Sequence, residues 1–183
     1  MPNIESPGLT DEQRVACAIL CCDRKQYQMK KRGRKDKECQ RLGSKKHSCV
    51  LHQLREKKDG KLTQNPRKGF EGIKANPPCS APGVSRTLRP DIMIGKQIID
   101  AKFPCDPDKI KEKNKGLSFG DKAQYQSEST GRDMSTPKEE VDYKNINKVD
   151  GQKVEKLPDP KTKTPEDAAK DLPGGTCECT KMQ

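Results

Sequence analysis

The sequence predicts a small fold of the α/β class, in the α+β arrangement, with long loops. Three observations carry this expectation. Apolar residues recur at helical spacing near the start of the chain, and two β-branched runs flank a Gly-Lys pair in its middle. Only 29% of the 183 residues are hydrophobic against 36% charged, with 14 Gly and 14 Pro, so any folded unit has a limited core and extensive connections. No stretch approaches the ~20 apolar residues that span a bilayer, which excludes membrane insertion. Residues 1–14 lack a cationic start followed by an apolar stretch, so no secretory signal is expected.

The elements follow in order. Thr10 or Asp11 is placed to cap a helix with Glu12 in its first turn, and Val15, Ala18, Ile19 and Cys22 share one face, so residues 11–28 are expected to be helical. A basic run around Gly33 reads as a loop. A second helix is expected over 47–57, with Val50, Leu51 and Leu54 on its apolar side, stopped at Lys58-Asp59-Gly60. The Gly- and Pro-rich stretch 60–88 reads as loop with one short strand near 69–74.

Residues 88–103 carry the clearest signal. Gly95-Lys96 suits a two-residue hairpin turn with Gly at the first central position. Ile94 then pairs with Gln97, Met93 with Ile98, Ile92 with Ile99 and Asp91 with Asp100. One face shows Arg89, Asp91, Met93, Ile98, Asp100 and Lys102, and the other, a core face, shows Ile92, Ile94, Ile99, Ala101 and Phe103.

This register sets two carboxylates side by side, which is destabilising for like charges. A divalent cation between them relieves that repulsion, and Mg²⁺ is commonly held by one or two carboxylates together with substrate phosphates. Lys102, on the same face, can orient water and offset phosphate charge. Two carboxylates and a lysine on one hairpin face therefore suit metal-assisted phosphodiester hydrolysis. The plainer alternative is an amphipathic hairpin with surface Asp and Lys.

The charge is uneven. The chain carries +11, but residues 23–74 alone carry a net +12. Its densest part holds Lys30, Lys31, Arg32, Arg34 and Lys35. This is either a solvated loop or an arm that tracks phosphates by releasing counterions.

Nine cysteines stand at 17, 21, 22, 39, 49, 79, 105, 177 and 179. An odd count without a secretory signal makes reduced thiols or a metal site more natural than a full disulfide framework. Cys17, Cys21 and Cys22 fall on adjacent helical turns; with Cys39, His47, Cys49, Cys177 and Cys179 they offer candidate ligands for structural Zn²⁺, although no zinc-finger spacing is present. Free thiols or a few disulfides are the alternatives. His47 and His52 read as helix-surface or packing residues.

Arg89-Pro90-Asp91, the short hairpin, and Asp100-Ala101-Lys102-Phe103-Pro104 resemble the PD-(D/E)XK nuclease signature, in the form found in nuclease toxin domains of bacterial polymorphic and type VI-secreted effectors. The resemblance is firmest over 89–104 and weaker over 138–157, where Glu139 and Tyr143 are four apart, on one helical face. It implies a restriction-endonuclease-like core, a small mixed sheet with flanking helices. It implies Mg²⁺ or Mn²⁺ on Asp91 and Asp100, with the carbonyl of Ala101 as a further ligand, Lys102 positioning the attacking water, and Glu139 and Tyr143 as further catalytic residues. Glu56 is the candidate for the acidic residue that many members carry on their first core helix. Glu139 stands where the family commonly has Gln, which leaves its role open.

The domain organisation expected is a helical, basic part over 1–60, a nuclease core over 61–160, and a Cys-containing tail over 161–183 that packs on the core. The expected function is metal-dependent DNA hydrolysis by an antibacterial effector toxin, with Arg89 and the basic run holding DNA phosphates. The resemblance further implies secretion without a signal peptide through a larger parent protein, action in the target-cell cytoplasm, and a cognate immunity protein, which the +11 charge predicts to be acidic. The alternatives are a non-catalytic basic nucleic-acid-binding module and a housekeeping nuclease of the same kind.

Overall fold

The structure, a computed structural model, describes residues 1–27, 35–105 and 142–183, with the backbone alone for 35–38. The first helix, α1 (Asp11–Arg24), starts at Thr10, which forms a capping box with Gln13: the Gln13 amide donates to Thr10 Oγ1 at 3.1 Å and the Thr10 amide donates to Gln13 Oε1 at 3.0 Å. Such a cap contributes about 1 kcal/mol. The helix ends four residues short of the expected 28, with Lys25 already extended. Its burial is not confined to one face: Val15 to Cys22 are all buried, because α1 packs against both α2 (Lys35–Leu54) and α3 (Pro165–Asp171).

Helix α2 is longer than expected, beginning inside the basic run and stopping at Leu54. Residues 55–66, expected as the helix end and a loop, instead form the hairpin β1 (Arg55–Lys58) and β2 (Lys61–Pro66). Strand β3 (Ile73–Ala75) meets the strand expected near 69–74, and the loop reading is also corrected at the short β4 (Cys79–Ser80).

The central sheet is mixed, in the order β3–β5–β6–β9. Strands β5 (Ile92–Ile94) and β6 (Gln97–Ala101) form the expected hairpin in the expected register, Ile92 opposite Ile99, Met93 opposite Ile98 and Ile94 opposite Gln97. Gly95 turns it at φ +56°, a conformation that a Cβ disfavours. Strand β3 pairs antiparallel with β5, and β9 (Lys161–Lys163) pairs parallel with β6. Strands β7 (Lys148–Val149) and β8 (Gln152–Lys153) join β4 in a second, three-stranded sheet.

Ile73, Ala75, Ile92, Ile99 and Ala101 bury one face of the central sheet in the α1 cluster. The other face carries a second apolar cluster, in which Met93 and Ile98 meet Leu88, Tyr143, Ile146, Val149 and Leu157. The hairpin is therefore covered on both sides, and its acidic pair sits at its open end rather than on a solvated strip.

Of the alternatives for the cysteines, the structure shows the disulfides, and more of them than the odd count and missing signal suggested. Eight cysteines are paired: Cys17–Cys177, Cys21–Cys179, Cys22–Cys49 and Cys39–Cys105. Cys79 is free and buried. The first two bridges tie α1 to the last residues of the chain across 160 and 158 positions, so residues 161–183 supply a sheet strand, a helix and two staples. Among the described residues no helix is long and apolar enough to cross a membrane.

Candidate active site

The hairpin brings Asp91, Asp100 and Lys102 together. Asp91 enters β5 from the buried Pro90, and its carbonyl accepts from the Asn76 amide at 2.7 Å. Asn76 adopts a left-handed φ of +51°, which Asn tolerates better than most residues. The Asp91 carboxylate reaches across the hairpin, and its Oδ2 accepts from the Ala101 amide at 2.9 Å. It also shares a hydrogen bond with the Asp100 carboxyl. Lys102 Nζ lies 2.8 Å from Asp100 Oδ2, and its amide donates to the Lys163 carbonyl at 3.0 Å, so the β6–β9 ladder holds it in place.

These contacts set the electrostatics. Burial, followed by the hydrogen bond and charge of Asp100, holds the Asp91 carboxyl well above the ordinary carboxylate range; the Ala101 amide and Lys102 oppose the shift. Two carboxyls in contact within a partly dry site retain a proton between them unless a cation replaces it.

His47 is the residue that sequence reasoning missed. It projects from α2 with Nδ1 3.5 Å from Asp91 Oδ2, and its ring meets Phe103 edge-on at 5.2 Å. Burial lowers its pKa; Asp100 opposes the shift, while Lys102 and Lys46 add to it. Together with Asn76, Asp91 and Ala101 it lines a cleft of about 160 Å³. Because the expected helix began at His47, that residue stood at a helix end; the additional turns before it place it mid-helix, over the hairpin.

The remaining expected residues are dispersed. The exposed Arg89 donates from Nη1 to the Asn76 carbonyl at 3.3 Å. Tyr143 is buried in the second cluster, and its hydroxyl donates to the Arg89 carbonyl at 3.3 Å. It thus braces the segment leading to Asp91 from behind. Glu56 is on β1, not on a helix, and its carboxylate lies 3.5 Å from Thr63 Oγ1. Glu139, Lys30, Lys31, Arg32 and Arg34 lie outside the described residues, and Lys35 is described by its backbone alone.

The basic excess is partly internal. Lys46 is fully buried and pairs with Asp23 at 2.6 Å. Arg55 is spent on the carbonyls of Ala75 and Asn76, and the buried Arg67 pairs with Glu5 beside Phe70.

Among the described residues the three-ligand cluster suited to a metal is Cys17, Cys21 and Cys177, whose Sγ atoms lie within 4.8 Å of one another. As thiolates such a set suits zinc; here all three are in disulfides. No known protein family, curated protein or solved structure matches this chain.

Proposed function

We propose that the chain is a metal-dependent endonuclease that hydrolyses DNA phosphodiester bonds at Asp91, Asp100 and Lys102. The observation that carries this reading is the Asp91–Asp100 contact. Two partly buried carboxyls share a hydrogen bond, and burial makes the second negative charge costly. A hard cation with oxygen ligands fits there, since it replaces the proton and satisfies both groups. Asp91 and Asp100 would hold Mg²⁺ or Mn²⁺, which would supply Lewis-acid neutralisation of the phosphoryl charge.

The protein's own residues do the rest. Asp100 holds Lys102 through their ion pair. Lys102 donates a hydrogen bond to the attacking water and sets it against the phosphorus. The water oxygen forms the new P–O bond and releases a proton to solvent, the bond from phosphorus to one sugar oxygen breaks, and the departing oxygen takes up a proton from solvent. The mixed sheet, with its antiparallel hairpin and parallel β9, supports the resemblance to the PD-(D/E)XK nucleases. DNA is held by phosphates through Arg89 and the run Lys30 to Lys35, without base readout.

In this reading the protein is an antibacterial effector, carried by a larger parent protein and neutralised by a small acidic immunity protein. Four disulfides support export, because structural disulfides persist in oxidising compartments. Plasmid cleavage in Mg²⁺, with and without EDTA, tests the activity. Nicking that needs the metal is expected, and binding without cleavage would instead favour the basic binding module. Expression of the chain alone is expected to poison a bacterium, and an Asp100→Ala form to be harmless.

A further inference from the structure

We infer that Cys17, Cys21, Cys177 and Cys179 form a zinc site in the reduced chain, replacing the two disulfides that they make when oxidised. Such a site is independent of the nuclease chemistry. Cys17 and Cys21 are four residues apart on α1, so they stand one turn apart on the same side of the helix. Cys22, one position further round, turns to α2 and bonds Cys49. Cys177 and Cys179 approach from the last residues of the chain, and the two bridges bring both pairs together at Cα separations of 5.5 and 5.6 Å.

Three of the four sulfurs already stand near the spacing of a tetrahedral site. Zinc–sulfur bonds of ~2.3 Å place the four sulfurs roughly 3.8 Å apart. The Sγ atoms of Cys17, Cys21 and Cys177 already lie within 4.8 Å of one another, and Cys179 is bonded to one of them. Conversion separates the two bonded sulfur pairs and brings Cys179, which is bonded to Cys21, in to complete the set.

Bonds other than the disulfides also hold these residues in place. The Glu178 amide, between the two cysteines, donates to the Pro2 carbonyl at 2.7 Å. Arg67 Nη2 donates to the Lys181 carbonyl at 3.2 Å, and Gln53 Nε2 donates to the Gln183 carbonyl at 2.8 Å. These bonds do not depend on the disulfides, and they favour the same placement of the four thiols after reduction.

The chemistry balances with a thiol reductant. Each disulfide takes two electrons and two protons from two reductant thiols, which become a disulfide, and yields two cysteine thiols. Zn²⁺ then displaces four thiol protons and binds four thiolates. The last residues are thereby fastened to α1 in both oxidising and reducing surroundings.

The test uses the full chain, purified oxidised, reduced anaerobically with a dithiol, freed of reductant, and exposed to Zn²⁺ or Co²⁺. The oxidised chain is expected to take up no zinc. The reduced chain is expected to bind one zinc per chain and to give the thiolate-to-metal absorption of tetrahedral cobalt. Cys177→Ser with Cys179→Ser is expected to lose the site, and Cys22→Ser with Cys49→Ser to keep it. No uptake by the reduced wild type, or retention by the Cys177/Cys179 variant, overturns the inference. If that variant does not fold, mapping the thiols protected from alkylation in the zinc-loaded wild type decides. Protection of Cys17, Cys21, Cys177 and Cys179 supports the site, and protection of any other set overturns it.

Discussion

The ammonium of Lys102 lies 2.8 Å from the carboxylate of Asp100, with both side chains mostly buried. The pair makes each residue the other's support. Asp100→Asn and Lys102→Met preserve shape better than truncation to alanine, and each is expected to lower plasmid cleavage by ~10²–10⁴-fold while far-UV circular dichroism is unchanged. Wild-type nicking by both folded variants would remove these residues from the chemistry.

Asp91 gives the metal-free protein a pH dependence. Its folded-state pKa is raised, chiefly by burial and then by Asp100. At pH values below the ordinary carboxyl value of about 4, Asp91 is protonated in folded and unfolded chains alike and its contribution is full. Above that value the folded chain keeps a proton that the unfolded chain has lost, so stability falls as pH rises until the folded-state pKa is passed. The melting temperature in EDTA is expected to decline over this window, Asp91→Asn to flatten the decline, and Mg²⁺ to raise the melting temperature most at the upper end. Identical pH profiles for wild type and Asp91→Asn would contradict this.

The hairpin was legible because Gly95 and the alternating apolar residues leave one register that buries Ile92 and Ile99 together. His47 was not legible. Its role comes from α2 crossing the hairpin, a contact between residues more than 40 positions apart, and periodicity within one helix carries no information about it. The cysteine pairing was hidden for the same reason, since Cys17 and Cys21 find partners at the far end of the chain. The basic count misled in part, because a lysine such as Lys46 reads as surface until a buried carboxylate like Asp23 is seen beside it.

The Asp23–Lys46 pair is expected to matter through its breaking rather than its presence. Burial pushes the Asp23 carboxyl up and the Lys46 ammonium down, and each partner's charge opposes the shift. Lys46→Met leaves a buried carboxylate uncompensated and is expected to cost about 3–5 kcal/mol in denaturant unfolding, whereas Asp23→Leu combined with Lys46→Met is expected to recover most of that loss. A double variant as unstable as the single one would show that the pair itself is needed.

The disulfides are expected to dominate stability. Closing a loop of 160 residues contributes about 5 kcal/mol on the chain-entropy account, so reduction without zinc should lower the melting temperature sharply. Thiol titration of the oxidised chain in denaturant should find a single free thiol, Cys79. Burial pushes that thiol up to about 11, so it should resist alkylation in the native protein at neutral pH. Extra reactive thiols would contradict the pairing.

The basic run separates an arm from a solvated loop. Lys46, Arg55 and Arg67 are committed to internal partners, so substituting them would confuse folding with binding. Lys30, Lys31, Arg32, Arg34 and Lys35 are the appropriate residues to neutralise. If they bind phosphates, their replacement by Gln should weaken DNA binding and reduce the slope of log affinity against log salt by ~0.9 for each phosphate no longer neutralised. Melting temperature is measured alongside, so that a loss of binding is read only from variants that remain folded. An unchanged slope would leave the run as a solvated segment and shift the phosphate-binding role to exposed cations such as Arg24, Lys25, Lys45 and Arg89.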